Sequence, residues 1–91
     1  MHNTTVLIEQ NLKTALSPIY LDIIDESHLH LGHAGNQGGG HYAVIIVSDA
    51  FNGVSRIQRQ RIVNEPLSEL FKTNQIHALS IKALTADEYF S

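Results

Sequence analysis

The side chains best equipped for chemistry here are histidines, six of them in 91 residues. His28, His30 and His33 crowd together, His41 follows across a glycine-rich stretch, and His77 stands far along the chain. Neutral imidazole is the commonest metal ligand, and its availability changes with pH near neutrality. The chain has no cysteine, which removes disulfides, thiolate nucleophiles and thiolate metal sites together. Any metal must therefore meet imidazole, carboxylate or backbone oxygen. The spacing H-x-H-x-x-H of His28, His30 and His33 is not a zinc signature such as H-E-x-x-H. A plain alternative stands beside metal binding. Loop histidines are often only solvated, and a strand-end histidine on an apolar face is often a hydrogen-bonded core residue.

Other chemistries find less. The glycine stretch lacks the Lys-Ser/Thr end of a phosphate-binding loop and does not open a helix directly. No G-x-S-x-G nucleophile elbow is present. Asp25 and Glu26 are adjacent, so on a strand they point to opposite faces and cannot act as a pair. No enzyme activity is expected. Arg56, Arg59 and Arg61 bring three of the six basic residues close together. Arginine forks suit phosphate and carboxylate alike, so these three are candidates for a nucleic-acid backbone or an acidic protein patch, against the alternative of a solvated helix face.

These residues need a scaffold, and the composition supplies one small domain spanning 1–91. Apolar residues make up 43% and charged ones 16%, which argues against bulk disorder. No apolar run is long enough to cross a bilayer. Met1 to Gln10 lacks the basic flank, apolar stretch and cleavage site of a signal peptide, so a cytoplasmic location is expected. The net charge of −3 argues mildly against a nucleic-acid partner.

Asn3, Thr4 and Thr5 offer cap oxygens before a helix from Val6 to Leu16, with Ile8, Leu12, Ala15 and Leu16 on one stripe. Ser17-Pro18 ends it. Ile19 to Ile24 alternates as a strand with one buried face. His28 to Gly40 is a loop, and the β-branched run within Tyr42 to Ser48 is a central or doubly covered strand. Asn52-Gly53 is a turn. Ser55 with Gln58 resembles a capping box, and Asn64-Glu65-Pro66 marks a second helix start that runs to Thr73-Asn74. Ile76 to Leu84 is a third strand, with His77, Leu79, Ile81 and Ala83 on one face. Thr85 and Glu88 cap a final helical turn. The first two strands form an antiparallel pair, and the helical crossover is long enough for the second and third to run parallel. The fold class is α+β: a three-stranded mixed sheet with helices on one face, ordered α-β-β-α-α-β(-α).

Several segments, in order, resemble the BolA family. They are Asp25-Glu26-Ser27-His28, Gly32-His33-Ala34-Gly35, His41-Tyr42 leading to Val47-Ser48-Asp49, Phe51-Asn52-Gly53, Arg59-Gln60-Arg61-Ile62-Val63 and Ile76-His77-Ala78-Leu79-Ser80-Ile81. The likeness runs from about Leu16 to Glu88. It implies a class II KH-like fold, in line with the element order. It also implies an adaptor that pairs with a monothiol glutaredoxin and holds or passes on a [2Fe-2S] cluster shared with that partner and glutathione. A second implied role is transcriptional regulation, with DNA bound through a helix-turn-helix-like region. In the family the histidine before the last strand is a cluster ligand, which falls on His77. A second ligand comes from the loop between the first two strands, and the Gly-His-Ala-Gly pattern puts it on His33. Without cysteine the chain resembles the histidine-loop type. The helix around Arg59 and Arg61 is expected to help dock the glutaredoxin. Many members read Arg-His-Arg where this chain has Arg59-Gln60-Arg61. DNA binding is expected to be weak, and a homodimer stays open.

Overall fold

The computed structural model describes residues 4–27 and 40–91. The expected loop histidines His28, His30 and His33 lie outside the described residues. The element order is α1 (Thr4–Leu16), β1 (Tyr20–Asp25), β2 (Gly40–Val47), a 3-10 turn (Asp49–Phe51), α2 (Arg56–Asn64), a second 3-10 turn (Glu65–Leu67), α3 (Ser68–Lys72), β3 (Ile76–Leu84) and α4 (Ala86–Phe90). The sheet order is β1-β2-β3, with β1 antiparallel and β3 parallel to the central β2. This is the mixed α+β sheet that the sequence implied.

The core lies between one face of the sheet and the helices. Tyr42, Val44 and Ile46 alternate along β2 and are buried against Ile8 and Leu12 of α1, Val63 of α2, and Leu67 and Leu70. Leu21 and Ile23 of β1 and Leu79 and Ile81 of β3 join that layer. The register pairs Leu21 with Ile46 and Val44 with Ile81, so one face is apolar across all three strands. Ile19, expected inside, is 51% exposed and precedes the strand.

The ends of the elements follow local chemistry. Ser17 takes a positive φ of 43° and donates its N–H to the Lys13 carbonyl, so the residue before Pro18 leaves the helix through the left-handed region. Gly53 also needs positive φ, at 73°, in the turn before α2. The Ser55 hydroxyl accepts from the Gln58 N–H, which is half of the expected capping box. At Thr85 and Glu88 both halves form. Buried Ser48 donates to the Leu16 carbonyl at 2.7 Å and accepts from the Ala50 N–H, tying the end of α1 to the end of β2.

Candidate functional site

His77 enters the site through an irregularity in β3. Gly40 pairs with Ile76, yet the next residue, His41, pairs with Ala78, so His77 is the extra residue of a bulge. A bulge leaves its extra residue unpaired and re-aims the side chain. Its effect shows in burial. Ile76 is buried, His77 is exposed, and the core face resumes at Leu79, Ile81 and Ala83. Simple alternation from Leu79 had put His77 on that core face. The structure corrects this, because the bulge shifts the parity of the strand by one.

The ring of His77 lies beside that of His41, with centroids 5.2 Å apart and planes tilted by 44°. His41 alternates with buried Tyr42, so it sits on the sheet face away from α1–α3. Its backbone is well held. The carbonyl accepts from the Glu26 N–H at 2.7 Å, and its own N–H donates to the Ser27 hydroxyl. Ser27 is fixed in turn by donating its N–H to the Asp25 carboxylate. Gly40 donates its N–H to the Gln75 carbonyl, joining the two strand starts. A Cβ at Gly40 would run into the Tyr42 ring, so this close approach requires glycine.

The arginines do not form one surface. Arg59, expected to help dock a partner, is 6% exposed and turned inward. Its guanidinium donates to the Val54 and Ala83 carbonyls and to both carboxylate oxygens of Glu88, at 2.7 and 3.3 Å. A buried guanidinium with every neighbour engaged holds α2, β3 and α4 together and offers nothing to a partner. Arg56 is exposed, with a 3.7 Å contact to Glu88. Arg61 is exposed as well. The Arg59 fork and the Thr85 N–H hold the Glu88 carboxyl down at about 2.

In donor chemistry the site offers two neighbouring imidazoles and no sulfur. Among the described residues no group of three or more His, Cys, Asp or Glu side chains could hold a metal ion. The sequence shows His41 among the candidate histidines but assigns the ligand roles to His77 and His33. The signal available for it was position: it opens a strand beside the strand that His77 opens.

The chain matches the family model described as BolA-like protein over residues 12–88. It is 35% identical over 82 residues to the DNA-binding transcriptional regulator BolA of Escherichia coli, covering 90% of this chain and 75% of that one. It is 39% identical over 87 residues to SufE-like protein 1 of Arabidopsis thaliana, covering 89% of this chain but 23% of that protein. The solved BolA domain of SufE1 from Arabidopsis thaliana superposes with a TM-score of 0.83 at 36% identity, covering 97% of this chain and 98% of that one.

Proposed function

The chain belongs to the BolA-like protein family, and on that premise we propose that it is an adaptor that pairs with a monothiol glutaredoxin to bind or pass on a [2Fe-2S] cluster. The cluster is cargo shared with the partner. The observation that carries this reading is the His41–His77 pair, two imidazoles side by side at the starts of two neighbouring strands. A [2Fe-2S] cluster takes four protein ligands, usually thiolates. A chain without cysteine can supply imidazole nitrogen or oxygen but no thiolate. The glutaredoxin and its glutathione would supply the thiolates.

His77 is the first nitrogen donor in this proposal. The second is His33, from the segment outside the described residues, or His41, whose ring is already adjacent. Imidazole in place of thiolate at one iron raises the reduction potential. It also makes binding depend on pH, because the ligand must be deprotonated. Arg56 and Arg61 remain as surface cations for the partner. A reducing cytoplasm suits a partner whose thiols must stay free. Among the described residues no helix is long and apolar enough to cross a membrane.

The test is reconstitution. The chain, a monothiol glutaredoxin, glutathione, iron and sulfide are mixed, and visible absorption and circular dichroism are recorded. A spectrum unlike that of the glutaredoxin alone supports the adaptor, and an identical one contradicts it. A DNA-binding regulator is the second reading, favoured by the name of the Escherichia coli relative. Two exposed arginines on a chain of net charge −3 support weak binding at best.

A further inference from the structure

On the outer side of α2 an apolar side chain stands beside an uncommitted cation. Ile57 is 77% exposed, more than any other large hydrophobic among the described residues. Arg59 and Val63 mark the buried side of α2. At about 100° per residue, Ile57 and Arg61 project from the opposite side, and their spacing of four makes them neighbours. Among the described residues the Arg61 guanidinium has no hydrogen bond or ion pair. Beside Arg61 opens a groove of about 560 Å³, lined by the apolar Ala15, Leu16, Ile62 and Pro66 and by the polar Gln58 and Glu65. That volume is typical of clefts that receive ligands, roughly 300–1,000 Å³.

We propose that this surface docks a peptide segment of a protein partner in which a bulky apolar side chain stands next to a carboxylate. The carboxylate pairs with Arg61, and the apolar side chain enters the groove while Ile57 packs against the segment's backbone. Protein interfaces combine such features, with apolar anchors and arginine enriched at their centres. A nucleic-acid backbone fits less well. Phosphate contacts give no partner to Ile57 or to the apolar lining residues Ala15, Leu16, Ile62 and Pro66. The surface is distinct from the histidine pair, and the inference holds or fails without the cluster reading.

The test is selection of a displayed random-peptide library on the intact chain. Peptides of the enriched sequence and a short DNA duplex are then titrated by fluorescence anisotropy. The expected consensus places Asp or Glu within two positions of Leu, Ile or Phe. Arg61→Glu and Ile57→Ser should each weaken binding about tenfold. A peptide with its acid changed to lysine should regain affinity for the Arg61→Glu chain. Both side chains are exposed, so melting should fall by no more than a few degrees, the Arg61→Glu change placing two carboxylates four residues apart. No enrichment, a consensus without the acid, unchanged affinity in the variants, failure of the charge swap, or tighter binding of the duplex than of the peptide would overturn the proposal.

Discussion

Arg59 grips Glu88 with both terminal nitrogens of its guanidinium, at 2.7 and 3.3 Å, and so ties α2 to α4 across the end of the sheet. The grip is tightened by location. Arg59 is buried, and its remaining donors meet the carbonyls of Val54 and Ala83. Glu88 closes the capping box with Thr85, so the same carboxylate starts α4 and anchors it. Tyr89, next along α4, stacks on Tyr20 of β1 at 5.2 Å.

Arg59→Ala should therefore act as a fold variant. It removes charge-assisted hydrogen bonds to Glu88 and takes a donor from the carbonyls of half-buried Val54 and buried Ala83. A loss of about 2–3 kcal/mol is expected. It should appear as a lower urea midpoint with an unchanged slope. Arg61→Ala, at an exposed and unpaired position, should stay within about 0.5 kcal/mol of the parent.

The Glu88 carboxyl sets an acid limit. Its folded value of about 2 lies below the ordinary 4.5, because the Arg59 hydrogen bond and the Thr85 N–H favour the carboxylate. A depressed folded value stabilises the protein above the unfolded value. That contribution is lost as pH falls from 4.5 towards 2. Glu88→Gln should thus be less stable than the parent at pH 7, and the gap between them should close across that acid window. Urea titrations of both proteins at neutral pH, near pH 4 and near pH 2.5 measure the gap. A constant gap would contradict the assignment.

Gly40→Ala should strain the site from behind. The added methyl meets the Tyr42 ring, which is 7% exposed and has core neighbours on its other side. Overpacking of this kind costs roughly 1–3 kcal/mol. The relief open to the chain is a shift of the β2 start against β3, where the bulge sits. The expected signature is a lower melting temperature together with changed imidazole resonances of His41 and His77. A melting temperature equal to the parent's would contradict it.

Much of this architecture was legible in the sequence. The three strands and the succession of short helices followed from apolar periodicity and from Pro, Gly and capping residues. β3 was bounded at Ile76 and Leu84, as observed. The bulge was not legible. Periodicity assigns faces by counting in twos, and one unpaired residue moves every earlier position to the other face, which is why His77 is grouped with Leu79, Ile81 and Ala83 in the sequence. The burial of Arg59 was hidden for a different reason. In sequence Arg56, Arg59 and Arg61 look alike, and their fates depend on where Glu88 arrives from a distant helix. A helical count gave one clue, since Arg59 shares its side of α2 with buried Val63. Ile57 misleads in the opposite sense, because an isoleucine in a helix reads as core and this one is outside.

The central claim is that imidazole nitrogen from this chain meets iron when a partner brings the thiols, with His77 as the constant donor. Pulsed electron paramagnetic resonance on the reduced mixed cluster tests it directly. The cluster is assembled from this chain, with its histidines labelled with ¹⁵N, and an unlabelled glutaredoxin with glutathione. The account predicts ¹⁵N hyperfine coupling from directly bound nitrogen, with the His77 contribution lost in His77→Ala while the circular dichroism of the fold is retained. A cluster signal without ¹⁵N coupling, or one unchanged by His77→Ala, would contradict it.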